Sequence, residues 1–141
     1  MKIKRIEHVA VVVRDLEASK AFWEGCLGIR LAGVDNTRKS PVRLALYPVG
    51  ESMVELLAGT TPESEHARMV AEGKGGLNHI CFEVENIDEA LAELKEKGVP
   101  LLDQVPRSGH AGSRIAFIDP GATENCLIEL AEFPAASAHH P

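Results

Sequence analysis

The order of segments between residues 3 and 58 recurs between residues 77 and 132, and this repeat restricts the possible folds more than any single motif does. Residues 3–13, IKRIEHVAVVV, are apolar and β-branched and read as a strand. Asp15 is placed to cap a helix over residues 16–27, in which Leu16, Ser19, Phe22, Trp23 and Cys26 recur at helical spacing, and Gly28 to end it. Strands are predicted at residues 30–34, 42–48 and 53–57, the last two joined by a turn over residues 49–52. A polar connector, residues 59–76 with a short helix near 63–72, separates this module from the next. Residues 77–84, LNHICFEV, then read as a strand, and Asn86 caps a helix over residues 87–97 that Gly98 ends. Strands follow near residues 100–102, 114–118 and 126–131, and residues 133–141, FPAASAHHP, form a frayed tail whose His139 and His140 are solvated.

A shift of 71 positions lays His8 on His79, Leu16 on Ile87 and Ala45 on Ala116. A shift of 74 lays Met53-Val54-Glu55-Leu56-Leu57 on Leu127-Ile128-Glu129-Leu130-Ala131, because the second hairpin loop is three residues longer. The predicted architecture is therefore α+β: tandem βαβββ modules forming a curved mixed sheet, in one domain spanning residues 1–141.

Composition removes other classes of function. Fifteen Lys and Arg against twenty-one Asp and Glu leave a net charge of −6, which argues against a broad nucleic-acid-binding face. The chain has no apolar run of the ~18 residues a membrane span needs and no signal-peptide pattern at its start, so a cytoplasmic location is expected. Cys26, Cys81 and Cys126 are odd in number, with no C-x-x-C pair, and are expected to be reduced, small core residues.

Four residues carry the chemistry. Each module contributes a histidine from its first strand, His8 and His79, and a glutamate from its last, Glu55 and Glu129. Strand alternation puts His8 on a face with Ile6, Ala10 and Val12, Glu55 with Met53 and Leu57, and Glu129 with Leu127 and Ala131. Carboxylates among such neighbours are costly to bury unless something positive pairs with them, and no Lys or Arg lies in those strand cores. A strand histidine alone is ordinarily hydrogen-bonded structure, and a glutamate near a strand end ordinarily points to water. Four of them at equivalent places in two repeats point to a shared divalent cation, which cancels the −2 of two carboxylates and two neutral imidazoles. His66, on a polar helix, reads as solvated; His110, in the loop over residues 106–114, is a candidate for contacting a ligand.

The segment IEHVAVVVRDLEASKAFWEGCLGI, with its strand histidine, capped helix and closing Leu-Gly, resembles the first module of the vicinal oxygen chelate, or glyoxalase-like, superfamily. The resemblance runs from Ile6 to Leu130. Within the superfamily the chain is most similar to methylmalonyl-CoA epimerases, through LALYPVGESMVELL, TTPESEHARMVAEGKGGLNHICFEV, GVPLLDQVPRSGHAGSRIAFIDP and LIEL. The resemblance implies that His8, Glu55, His79 and Glu129 ligate one divalent ion, of the Co²⁺, Mn²⁺, Ni²⁺ or Zn²⁺ kind. It implies α-proton abstraction from an acyl-CoA through a metal-stabilised enediolate, and a homodimer whose site lies within one chain or across two; the internal repeat allows a complete site within a single chain.

Three departures from the family pattern stand out. Some bacterial epimerases carry a glutamate base in the third strand of the first module, where this chain has Leu44, so Glu55 and Glu129 are left as the proton-moving residues. The family's His-Pro is Asp119-Pro120, and its glycine before the last strand is Asn125. Lys74, Arg107 and Arg114 are the basic residues placed to meet coenzyme A, the last two flanking the loop SGHAGS. Lactoylglutathione lyase chemistry on a glutathione hemithioacetal is the alternative reading. An extradiol-type dioxygenase or a metal-free binding protein of the same superfamily ranks below it.

Overall fold

The computed structural model describes residues 1–35 and 41–135. His139 and His140 lie outside the described residues. The first repeat comprises β1 (Ile3–Val12), α1 (Leu16–Lys20), β2 (Gly33–Asp35), β3 (Val42–Val49) and β4 (Ser52–Gly59). After the linking helix α2 (Glu65–Ala71), the second comprises β5 (Gly76–Val84), α3 (Ile87–Glu96), β6 (Arg107–Ser108), β7 (Arg114–Ile118) and β8 (Leu127–Glu132). The predicted α+β order of two βαβββ modules is the order found. No helix among the described residues is long and apolar enough to cross a membrane.

Contacts divide the chain into two compact units, Val9–Asn78 and Met1–His8 with His79–Pro141, so β1 is split between them at His8. In the unit Val9–Asn78, β2, β3 and β4 form an antiparallel ladder, and the Val13 amide beyond β1 donates to the Leu57 carbonyl at 2.8 Å. The β3–β4 connection is two residues, with Gly50 at φ +60°, the left-handed position that a tight hairpin asks of its first turn residue. One sheet face of this unit packs Ala10, Val12, Leu44, Leu46, Met53 and Leu57 together. The other packs Ala45, Tyr47, Leu56 and Ala58 under Leu16 of α1.

In the unit containing His79, β8 lies parallel to β5 and antiparallel to β7, which pairs with β6. Helix α3 places Ile87, Ala90, Leu91 and Leu94 on one stripe, all buried against Val84, Ala116, Ile118 and Leu130. The opposite sheet face carries Cys81, Ile115 and Ala131.

Local signals were read correctly where a single side chain decides the geometry. Asp15 Oδ1 accepts from the Ala18 amide at 3.1 Å, and Asn86 Oδ1 accepts from the Glu89 amide at 3.0 Å. The repeat offsets reappear in the ladders: Ala45 stands opposite Leu56 in β3–β4, and Ala116 opposite Leu130 in β7–β8.

Four expectations need correction. The helix over residues 16–27 is α-helical only to Lys20; Ala21–Cys26 is a π turn, in which the Leu27 amide reaches the Phe22 carbonyl five residues back. The wider turn rotates Phe22 and Cys26 out to solvent. Residues 100–102 make an isolated bridge, Leu101 to Ile118, and the edge strand is instead β6 at Arg107–Ser108. Of the cysteines only Cys81 is a core residue, Cys26 and Cys126 being exposed in the last helical turn and in a loop. His66 is half-buried on α2 rather than solvated.

Candidate metal centre

Three of the four singled-out residues converge within one unit. His8 on β1, His79 on β5 and Glu129 on β8 are all buried. Parallel pairing sets Cys81 beside Glu129, and antiparallel pairing sets Phe117 opposite it, so the period of two puts His79, Cys81, Glu129 and Phe117 on one sheet face. Glu129 Oε1 lies 3.0 Å from His79 Nε2 and 3.2 Å from His8 Nε2. The two Nε2 atoms are 3.2 Å apart. The rings meet edge to face with centroids 5.2 Å apart, and Phe117 closes on His79 in the same manner at 5.4 Å.

This triangle fits a divalent ion. Lone-pair atoms facing one another at such distances repel unless a proton or a cation sits among them. Donors sharing a Zn²⁺-like ion stand about 2.0–2.2 Å from it, hence about 3 Å from each other at right angles. Two imidazole nitrogens and a carboxylate oxygen form a donor set suited to Co²⁺, Mn²⁺, Ni²⁺ or Zn²⁺. Burial alone would raise the Glu129 pKa, but the His79 and His8 rings beside it outweigh burial and hold the carboxyl down at about 2. Glu129 is therefore an anion, the form a ligand needs. Desolvation pushes the Cys81 thiol up to about 12, which keeps it a neutral neighbour.

The sequence reading missed Glu7. It is buried, with Oε1 2.6 Å from His8 Nδ1. Arg5 stands behind it, Nη2 to Glu7 Oε2 at 3.7 Å, while Arg5 Nε donates to the buried Glu83 at 2.7 Å. Strand alternation assigns neighbouring residues to opposite faces, and here burial breaks that alternation at Glu7 and His8. The available signal was a lone carboxylate inside the apolar run IEHVAVVV.

Glu55 lies in the other unit, buried on β4 opposite Leu46 and between Met53 and Leu57 along its strand face. Leu44 is buried in the Ala10, Met53 and Leu57 cluster, opposite Leu57, and has no group to carry a proton. The basic residues are each engaged with an acid. Lys74 pairs with Glu72 at 3.5 Å, both well exposed. Arg114 is held by both Asp88 oxygens at 2.8 and 2.9 Å. Arg107 bonds Asp103 at 3.1 Å and lies over the Phe117 ring, 5.4 Å from its centroid. Asp103 also accepts from the Phe117 amide, so of the three bases Arg107 is the one connected to the histidine site. His110 is half-buried in a 3₁₀ turn, His110–Gly112, of the loop before β7. Asn125 sits at φ +73°, which explains how it stands where the family has glycine: asparagine tolerates the left-handed region better than most residues. Asp119 caps the short turn Pro120–Ala122 by accepting from the Gly121 amide.

The chain belongs to the Glyoxalase/Bleomycin resistance protein/Dioxygenase superfamily, whose family model matches residues 7–117. It is 33% identical over 130 residues to the ethylmalonyl-CoA/methylmalonyl-CoA epimerase of Cereibacter sphaeroides, covering 91% of this chain and 97% of that one. It is similar to a methylmalonyl-CoA epimerase in complex with methylmalonyl-CoA and NH4⁺ (TM-score 0.86, 29% identity, 96% of this chain and 99% of that one). It is equally similar to a Streptomyces coelicolor methylmalonyl-CoA epimerase in which a glutamate is replaced by leucine, in complex with 2-nitronate-propionyl-CoA (TM-score 0.86, 29% identity, 97% and 99%).

Proposed function

We propose that this superfamily member is a metal-dependent acyl-CoA epimerase acting on methylmalonyl-CoA. The observation that carries the reading is the buried His8–His79–Glu129 triangle, in a chain whose relatives act on that class of substrate. His8, His79 and Glu129 would hold the ion, with Glu55 as the fourth ligand through its equivalence to Glu129 in the repeat. A divalent ion there would polarise the thioester carbonyl and offset the charge that develops as the α-proton leaves.

The rest of the chemistry belongs to the chain. Inversion needs a group to take the α-proton from one face and another to return one to the opposite face. Leu44 cannot do either, so the reading assigns both transfers to carboxylates, Glu55 and Glu129. Phe117 and Cys81 flank Glu129 with atoms that neither donate strongly nor carry charge, which leaves the carboxylate oxygens for the ion and the proton. Arg107 is assigned to a coenzyme A phosphate or the substrate carboxylate, exchanging its exposed Asp103 pair for the ligand. Lys74 and Arg114 are assigned weaker coenzyme A contacts, Arg114 because its bidentate partner must first be given up. The same reading places the protein in the cytoplasm as a homodimer, which sedimentation equilibrium checks.

The test is proton NMR of the cobalt-loaded protein with racemic methylmalonyl-CoA in D₂O, beside a parallel sample with methylglyoxal and glutathione. Deuterium entering the α-position with stereochemical inversion is the expected result. Glu55→Gln should keep the metal and abolish that exchange. Lactoylglutathione in the parallel sample, with no exchange in the first, would overturn the reading.

A further inference from the structure

We infer that Glu7 is a positioning residue: it holds a proton on His8 Nδ1 and so presents His8 Nε2 to His79 and Glu129. The inference deepens the metal reading above and rests on it. An ionised carboxylate can only accept, and Glu7 Oε1 lies 2.6 Å from His8 Nδ1, so the proton of that hydrogen bond sits on the ring nitrogen. Arg5 Nη2 stands 3.7 Å from the other Glu7 oxygen, and Arg5 is itself fixed by Glu83 at 2.7 Å. Both Glu7 and His8 are buried, so water does not compete for either end of the bond.

The consequence follows from imidazole chemistry. A neutral ring carries one N–H and one lone pair, and a proton held on Nδ1 leaves the lone pair at Nε2. Nε2 is the atom that lies 3.2 Å from both His79 Nε2 and Glu129 Oε1. A carboxylate behind a metal-binding histidine also fixes the ring's orientation and raises its basicity as a ligand. Without Glu7, the ring of His8 loses both its tautomer bias and its anchor, and part of the population turns a protonated nitrogen toward Glu129.

Two measurements test this. In long-range proton–nitrogen spectra of the ¹⁵N-labelled, metal-free protein, assigned against a His8→Asn variant, His8 Nδ1 should carry an exchange-protected proton. That proton should be lost in Glu7→Ala and kept in Glu7→Gln, whose amide oxygen still accepts. Cobalt titration should then show binding weakened about 10–100-fold in Glu7→Ala and by under about threefold in Glu7→Gln. A wild-type His8 protonated only at Nε2 would overturn the inference, and so would a folded Glu7→Ala that binds cobalt like the wild type. The wild-type spectrum decides the matter even where Glu7→Ala does not fold. A protected Nδ1 proton in a wild type that binds no cobalt would leave Glu7 its place and remove the metal reading.

Discussion

Glu55 and Glu129 occupy equivalent positions in the two repeats and face different partners in their strand ladders. Opposite Glu129 stands Phe117, packed edge-on against His79; opposite Glu55 stands Leu46, in an aliphatic cluster with Leu44, Met53 and Leu57. Glu129 shares its unit with His8 as well as His79, because β1 is divided at His8 and its first arm packs with the second repeat. The repeat is thus faithful in backbone register while the residues set opposite its two glutamates differ, an aromatic ring at Glu129 and an aliphatic side chain at Glu55. Strand pairing copies hydrogen-bond positions whatever the side chains, whereas a buried charge depends on which neighbours the chain path brings to it.

Substitutions in matched positions can break or sharpen that contrast. Leu56 and Leu130 are both buried at 2% exposure or less and stand opposite alanines in equivalent ladders. Truncation to alanine should cost about 2–5 kcal/mol at either place, and denaturant unfolding should give values within about 1 kcal/mol of each other. A large asymmetry would show that the structural equivalence stops at the backbone.

The glutamates should behave in the opposite way. Glu129→Gln should weaken cobalt binding roughly 100-fold, on the scale of losing a charged ligand rather than a supporting contact. Glu55→Gln should change it by no more than about threefold while stopping α-proton exchange. Equal losses in a titration would erase the contrast.

Acid unfolding of the metal-free protein gives a smaller effect with a definite sign. The Glu129 pKa is lowered on folding from 4.5 to about 2, so the stability it contributes is complete above pH 4.5 and is lost as pH falls toward 2. Denaturant midpoints measured across that window should fall less steeply in Glu129→Gln. A parallel fall would show that other carboxylates dominate.

The smallest effect belongs to the surface. Arg114 holds the Asp88 carboxyl below its ordinary range through their hydrogen bonds, but the pair is exposed. Asp88→Asn should move the melting temperature by less than about 2 °C. A larger shift would give the pair a role in anchoring α3 to β7.

Much of the fold was legible because it depends on local signals: β-branched runs for β1 and β5, Asp15 and Asn86 at helix starts, and a repeat that fixed two register offsets. The errors came where no local residue carries the deciding force. The π turn at Ala21–Cys26 contains no proline or paired breaker to announce it. A two-residue edge strand such as Arg107–Ser108 has too little pattern to read. Cys126 follows two left-handed residues, Glu124 and Asn125, in a loop whose course the apolar letters around it do not reveal.

For the site, the sequence by itself determined which residues could serve: two histidines and two glutamates at matched strand positions, with too little positive charge nearby to balance them. Tertiary structure brought three of them together within one unit. It closed His8, His79 and Glu129 to within 3.2 Å of one another and brought Glu7 against His8 Nδ1. The physical reason is that strand periodicity specifies only which face a side chain takes. The distance between faces of strands 71 residues apart in the chain, and the desolvation that gives a carboxylate its force there, are set by packing.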